Sequence, residues 1–425
     1  MVIHVVQPGD SIYTIATRYG VPMQKVISDN RLENPEQLVV GQTIVISADI
    51  VPHTVAAGES LYSIARDYRV TVSGLLRLNP EISDPSRIQA GQVIQVPAAV
   101  PKLGTIDVNG YAFPNISSAT LQDTLPNLSF ISLFSYQVRP DGSLNPIDDS
   151  SIIQAARARN VGPFMVITNI KEGGSFDSEL AHTILISDQL QNTLLDNVIA
   201  VLRKGYYGLD IDFEYLYPRD RENYNRFIRK VVDRLHPLGY KVTTALAPKT
   251  SAGQVGLLYE AHDYAAHGAT VDHVILMTYE WGYTYSPPRA VAPINLVEQV
   301  IRYAVTVIPS QKILMGIPNY GYNWTLPYVR GSAARAISHT AAVALAARVR
   351  ARIEYDTTAQ SPYFRYYDEN RRQHEVWFED ARSIQAKLEL VQKYNLGGVS
   401  YWTINSFFPQ NWLVLDSMYN VRKPL

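Results

Sequence analysis

The chain has 425 residues, 46% hydrophobic and 18% charged, which is too long for one ordinary domain and too apolar for a disordered one. A formal net charge of -1 excludes recruitment of nucleic acid or an anionic membrane by long-range field. Cysteine is absent, which excludes disulfides, thiol catalysis and thiolate metal sites.

The N-terminus, MVIHVVQPGDS, has neither the basic start nor the apolar core of a secretory signal, so export by that route is not expected. No run of about 18 apolar residues occurs, so no membrane span is expected either. The first 97 residues repeat themselves. His4 aligned with His53 superposes HVVQPGDSIYTIATRYGV on HTVAAGESLYSIARDYRV at an offset of 49 residues, pairing Gly9 with Gly58, Ser11 with Ser60, Tyr13 with Tyr62 and Tyr19 with Tyr68. Asn30 falls on Asn79 and, after one inserted residue, Gly41-Gln42 falls on Gly91-Gln92. Each unit opens with an alternating apolar segment, turns at Pro-Gly-Asp or Ala-Gly-Glu, and continues at helical spacing, as in Ile12, Ile15, Ala16 and Tyr19. Ser11 and Ser60 are natural helix N-caps. A second short helix is predicted over about 22–30. The closing strands are Thr43-Ile44-Val45-Ile46 and Val93-Ile94-Gln95-Val96, which gives two βααβ units at 1–48 and 51–98.

This repeat resembles the LysM module, which binds glycans containing N-acetylglucosamine, such as peptidoglycan and chitin; the match covers 3–47 and 52–97. The resemblance implies a sugar groove between the first strand-helix loop and the loop before the last strand. In the first unit that groove would hold Gly9, Asp10 and Ser11 with Asn30, Arg31 and Leu32. In the second it would hold Gly58, Glu59 and Ser60 with Asn79, Pro80 and Ile82. The same residue types shape turns and cap helices, and the sequence leaves both roles open for each.

After the linker Ala98-Ala99-Val100-Pro101, β-branched runs alternate with amphipathic stretches from 101 to 425, the pattern of βα units around a parallel sheet. Eight strands are predicted: Gly104 to Tyr111, Ser129 to Tyr136, Pro163 to Asn169, Tyr207 to Glu214, Lys241 to Ala247, Asp272 to Tyr279, Lys312 to Pro318 and Gly398 to Trp402. Eight suits an α/β TIM barrel, whose chemistry gathers at the C-terminal ends of the strands. The stretch from about 325 to 380 is too long for a simple loop and holds strand-like pieces at Tyr363 to Tyr367 and Glu375 to Phe378. A small α+β insertion after the seventh strand is therefore predicted, walling one side of a cleft.

The fourth strand, YYGLDIDFEY, stands apart. Alternation puts Asp210, Asp212 and Glu214 on the barrel-facing side, and Leu209, Ile211 and Phe213 toward the helices. The three acids are spaced roughly 6 to 7 Å apart. Ionising all three in an apolar barrel is opposed by desolvation and by mutual repulsion, so at least one is expected to hold a proton near neutral pH. A strand serving stability alone would carry Val or Ile here. The nine histidines show no HxH or HExxH spacing near the strand, so neither a metal centre nor a cofactor is expected.

The strand resembles the DxxDxDxE signature of glycoside hydrolase family 18, the chitinase-like barrels. The last three acids match as Asp210, Asp212 and Glu214, whereas the first is replaced by Tyr207, whose parity points it outward toward the helices. Met277-Thr278-Tyr279-Glu280 is similar to the family's Met-x-Tyr-Asp, with Glu for Asp. Gly316-x-Pro318-x-Tyr320-Gly321 and Gly397-Gly398-Val399-Ser400-Tyr401-Trp402 are similar to its seventh and eighth strands, so the likeness spans 101–425. It implies Glu214 as the acid that protonates the departing glycosidic oxygen, and the substrate's own acetamido oxygen in place of an enzyme nucleophile. Asp212 would hold the acetamido N–H, Asp210 would share its proton, and Tyr279 would clamp the acetamido oxygen. Trp402 would floor that sugar, and Asn169, Glu280 and Tyr320 would contact hydroxyls.

Two LysM units fused to such a barrel look like the cortex-fragment-lytic enzymes of spore-forming bacilli. That likeness implies a monomeric N-acetylglucosaminidase acting on spore cortex peptidoglycan and deposited in the spore. Chitin is the competing substrate, and a non-catalytic glycan-binding barrel is the competing class, disfavoured because Glu214 is present. Removing residues 1–97 is expected to leave hydrolysis of small soluble fragments nearly unchanged and to weaken retention on intact wall.

Overall fold

A computed structural model describes residues 1–425 except 48, 49, 69, 83, 98–100 and 172. The predicted linker at Ala98-Ala99-Val100-Pro101 lies outside the described residues, Pro101 apart, as do Ala48 and Ala98 at the module ends.

The first module runs β1 (Val2–Val5), α1 (Ile12–Arg18), α2 (Met23–Asn30) and β2 (Thr43–Ile46), with β1 antiparallel to β2. Ser11 starts α1 by accepting from the Thr14 amide while the Thr14 hydroxyl accepts from the Ser11 amide, a reciprocal cap. Arg31, left-handed at φ 46°, ends α2. The second module repeats the order as β3 (Ile50–Thr54), α3 (Leu61–Asp67), α4 (Val72–Leu78) and β4 (Val93–Pro97). The aligned residues perform the same tasks in both. Asn30 donates to the Val26 and Val45 carbonyls and accepts from the Val45 amide, as Asn79 does with Leu75 and Gln95. His4 pairs with Tyr19 and Asp10, and His53 pairs with Tyr68 and Glu59.

Their surroundings differ. Module 1 is packed onto the rest of the chain. Gln410, on the helix Pro409–Met418, donates to the Thr43 carbonyl at 2.6 Å and accepts from the Thr43 hydroxyl at 2.7 Å. Arg31 donates to Asp123 and lies over the Phe407 ring, 4.1 Å from its centre. The Ile353 amide donates to the Val40 carbonyl at 2.9 Å. A Cβ at Gly41 would stand 1.9 Å from the Ile353 carbonyl oxygen, whereas its counterpart Gly91 faces open space. Val45 belongs to the barrel's core and Val39 to that of the insertion. Among the described residues, module 2 makes no hydrogen bond or ion pair to the barrel. Removing residues 1–97 would uncover the barrel and insertion surface that module 1 buries.

The barrel strands are β5 (Thr105–Ala112), β6 (Phe130–Gln137), β7 (Gly162–Thr168), β8 (Gly208–Asp212), β9 (Lys241–Leu246), β10 (His273–Leu276) and β11 (Ile313–Pro318). There follow β12 (Gly321–Thr325), β13 (Arg335–Ile337), β14 (Glu354–Asp356), β15 (Ser361–Tyr367) and β16 (Gln373–Trp377), and then β17 (Gly398–Trp402). β5 to β11 and β17 are parallel, and β17 pairs with β5 to close the predicted TIM barrel. Tyr111, Val166, Ile275 and Leu314 fill its interior, while Leu209, Ile211 and Phe213 pack into the layer between strands and helices. β12 to β16 form the predicted insertion, an antiparallel sheet in the order β13-β12-β16-β15-β14.

Tyr207 corrects the expectation of an outward side chain. β8 begins only at Gly208, so strand parity does not reach Tyr207. Its ring stacks on Phe130 at 5.8 Å and meets Phe164 edge-on at 5.7 Å, which places it at the N-terminal end of the barrel, opposite the end that carries Asp212.

The glycine contrast predicts that Gly41→Ala speeds hydrogen exchange of the Ile353 amide at least about tenfold by separating module 1 from the insertion. Gly91→Ala shares the left-handed backbone strain of about 1 kcal/mol but should leave that amide protected. Equal exchange in the two variants would show that this contact does not hold the domains together.

Candidate active site

β8 is shorter than predicted because its last backbone groups are claimed from outside the sheet. His262 pairs with the Phe213 carbonyl, and Asn169 grips Glu214 on both sides. The Asn169 side chain accepts from the Glu214 amide at 2.9 Å and donates to the Glu214 carbonyl at 2.9 Å and the Asp177 carbonyl at 3.1 Å. Asn169 is fully buried. It therefore positions Glu214 and is not available to a sugar hydroxyl, the role expected from the sequence.

Asp210 lies at the bottom of the acid row and accepts from the Tyr111 hydroxyl at 2.5 Å and the Thr243 hydroxyl at 2.7 Å. Asp212 is next; its Oδ1 is buried and has no partner among the described residues. Glu214, partly exposed, tops the row at the strand's C-terminal end. Tyr279 is close enough to all three acids for their charges to raise its hydroxyl pKa, after burial as the first cause. Gly316 makes room for its ring, since a Cβ there would stand 2.8 Å from Tyr279 Cε1. Glu280 accepts from the Tyr320 and Tyr322 hydroxyls. Trp402 packs against Phe134, Tyr111 and Phe113 at ring separations of 4.7, 5.2 and 5.8 Å. With Glu280, Tyr320 and Tyr322 it lines a cavity of about 360 Å³. The structure thus gathers Asp210, Asp212, Glu214, Tyr279, Glu280, Tyr320 and Trp402 at one end of the barrel.

The profile of the glycosyl hydrolases family 18 matches residues 127–406. The chain belongs to glycosyl hydrolase family 18. The LysM domain profile matches 4–47 and 53–97 of this family 18 chain. A cortical fragment-lytic enzyme from Bacillus subtilis (strain 168) is 44% identical over 431 residues, covering 100% of this chain and 99% of that one. The crystal structure of the Bacillus megaterium spore cortex-lytic enzyme SleL matches with a TM-score of 0.88 at 39% identity, covering 100% and 99% of the two chains. A chitinase from Chromobacterium violaceum matches with a TM-score of 0.68 at 25% identity over 74% of this chain and 98% of its own.

Within the family 18 barrel, sequence reasoning missed Tyr111, Thr243, His262 and Tyr322. Tyr111 and Thr243 carried a usable signal, being polar at inward positions where a barrel interior ordinarily holds Val or Ile. The module residues named from the sequence are mostly engaged internally. Asp10 and Glu59 accept from the Gln7 and Ala56 amides, Ser11 and Ser60 cap helices, and Asn30 and Asn79 are buried. Leu32 and Ile82 pack on the module cores. Gly9 and Gly58 face open space, and Pro80 is exposed.

Burial pushes all three acids up. Asp210 rises to about 6, held back by the hydrogen bonds from Tyr111 and Thr243. Asp212 is raised well above the carboxylate range by desolvation and then by the charges of Glu214 and Asp210. Glu214 rises to about 8 through desolvation and then the charge of Glu280. The pair Asp212 and Glu214 titrates as a unit and retains a proton at neutral pH. A carboxyl raised above its unfolded value contributes stability that is full below that value and is lost as pH rises through the folded one. Glu214→Gln should therefore match the parent's Tm near pH 4 and exceed it by roughly 2 °C or more at pH 8. Calorimetry at several pH values tests this, and a pH-independent difference would contradict the burial argument.

Proposed function

We propose that this enzyme hydrolyses N-acetylglucosamine glycosidic bonds in bacterial peptidoglycan, with spore cortex fragments as its substrate, by substrate-assisted catalysis with retention. The observation that carries the chemistry is the buried, unpartnered Oδ1 of Asp212 between two acids of raised pKa. An orphaned carboxylate oxygen in a dry site calls for an N–H donor, and an acetamido group supplies one. Full-length likeness to a cortical fragment-lytic enzyme supports the choice of polymer. Likeness to the spore cortex-lytic enzyme SleL supports a spore location, and the near-neutral chain is proposed to act as a monomer and apart from nucleic acid and membranes.

Glu214 donates its proton to the glycosidic oxygen as the bond to the anomeric carbon breaks. The substrate's acetamido oxygen closes on that carbon from the opposite face, forming an oxazolinium ring. Asp212 accepts the acetamido N–H and stabilises the positive charge, while the Tyr279 hydroxyl donates to the acetamido oxygen. Asp210, held by Tyr111 and Thr243, limits the charge Asp212 can carry before the substrate arrives. Water, deprotonated by Glu214, then opens the ring and restores the original configuration. The Tyr320 and Tyr322 hydroxyls both donate to Glu280 Oε1, which ties down one oxygen of the remaining carboxyl in the cleft. Trp402 offers a flat apolar floor to the pyranose. The modules hold the chain on the insoluble polymer; Gly9, Gly58 and Pro80 are their most open groove residues, while Arg31 is exposed but engaged with Asp123 and Phe407.

Glu214→Gln should lower kcat on cortex fragments at least about a hundredfold while the fold persists. Asp212→Asn should lower kcat strongly with little change in KM, because the charge it meets develops only in the transition state. NMR at early times should show product of retained configuration; inverted product would rule out the acetamido route. Mass spectrometry of products from cortex fragments beside chitin oligomers decides the polymer, and exclusive action on chitin would overturn that part of the reading.

A further inference from the structure

Beyond Glu280 the cleft side of the barrel opens into a cavity of about 560 Å³ that the reaction leaves unused. Trp281, Tyr283, Tyr285 and Tyr328 line it together with Arg289 and Arg330. Trp281 directly follows Glu280, and Thr284, between Tyr283 and Tyr285, donates to the Tyr322 hydroxyl, which itself donates to Glu280. The cavity therefore adjoins the reacting centre.

Its walls are built rather than loose. The Trp281 and Gly282 amides donate to the Val291 and Ala290 carbonyls, each at 3.0 Å. The Tyr328 hydroxyl donates to the Tyr285 carbonyl and the Trp324 indole to the Ser286 carbonyl, each at 2.7 Å. The loop 281–291 is thereby fixed to the insertion. Tyr283 and Tyr285 nonetheless remain 41% and 55% exposed, which leaves their rings free for a ligand. Arg289 and Arg330 are exposed, no carboxylate lines the cavity, and neither guanidinium has an ion-pair or hydrogen-bond partner among the described residues.

Aromatic faces suit the C–H face of any pyranose, and a guanidinium suits a carboxylate in bidentate geometry. A neutral polymer such as chitin meets only the first requirement. Peptidoglycan meets both, because alternate sugars carry a lactyl ether that ends in a carboxylate or in an acidic stem peptide. Resting on the peptidoglycan reading above, we propose that this cavity is a subsite for the acid-bearing muramyl sugar, with the aromatic rings taking the ring face and Arg289 and Arg330 the carboxylate.

The test uses the full chain and the double variant Arg289→Ala/Arg330→Ala. kcat/KM is measured on wall fragments with a free lactyl carboxylate, on fragments with stem peptides, and on chitooligosaccharides of equal length. The ratio of kcat/KM on acid-bearing over neutral substrate should fall about tenfold in the double variant, equivalent to about 1.4 kcal/mol. The fall should sit mainly in KM, and Lys at both positions should restore part of it. A fall on both wall substrates assigns the lactyl carboxylate as the ligand; a fall only on peptide-bearing fragments assigns the stem peptide. An unchanged ratio, with all three substrates cleaved by the parent, overturns the subsite and leaves the peptidoglycan reading standing. A parent chain that cleaves chitooligosaccharides but no wall fragment overturns that reading and the subsite with it.

Discussion

Three carboxyl groups on one face of a barrel strand impose the constraint around which the site is arranged. A barrel interior is dry, so each acid resists ionisation, and two charges in a row resist it further. The structure relieves this unequally. Asp210 receives two hydroxyl donors and its pKa stays near 6, whereas Asp212 keeps a bare oxygen and Glu214 answers to Glu280. The same unfavourable burial that costs stability keeps a proton on the Asp212 and Glu214 pair at neutral pH. A carboxyl that keeps its proton at neutral pH, as the proposed acid catalysis requires, and local destabilisation are two consequences of one arrangement.

That arrangement was legible in the sequence because it rests on the period of a strand. Asp210, Asp212 and Glu214 share a parity, and parity alone decides which side faces in. What holds the acids was legible only in part: Tyr111 and Thr243 are polar at inward positions, but nothing along the chain shows that they reach Asp210. Tyr111, Thr243, Asn169 and His262 come from four other strands or loops, and only closure of the barrel brings them to β8. The family resemblance gives Asn169 a sugar hydroxyl to contact. Its amide instead fits the backbone of the neighbouring strand's exit, a match that depends on inter-strand distance. Tyr207 fails for a related reason: parity holds only while the pleat lasts, and β8 starts one residue later.

The modules show the converse limit. Their internal bonds repeat almost atom for atom, so alignment reads their fold well. Alignment cannot say that one copy is bonded to the barrel and the other, among the described residues, is not, since that depends on residues far along the chain. Gln410, Asp123, Phe407 and Ile353 match module 1 and, among the described residues, have no counterparts opposite module 2. Gly41 and Gly91 carry the same left-handed backbone, yet only Gly41 sits against another chain segment.

Docking changes what tandem binding can contribute. A pair of sites on flexible linkers gains effective concentration from freedom to search, whereas a site fixed to the enzyme gains only if the polymer's path passes both. Arg31 shows how far module 1 has moved toward the second case, since its guanidinium is already engaged with Asp123 and Phe407. A cavity of about 520 Å³ is shared between Asn34 and Gln37 of module 1, Thr340 of the insertion and Phe407 of the barrel. Glycan reaching this module therefore meets barrel surface at the same time. The first module extends the enzyme's own surface, whereas the second, among the described residues, makes no hydrogen bond or ion pair to the barrel.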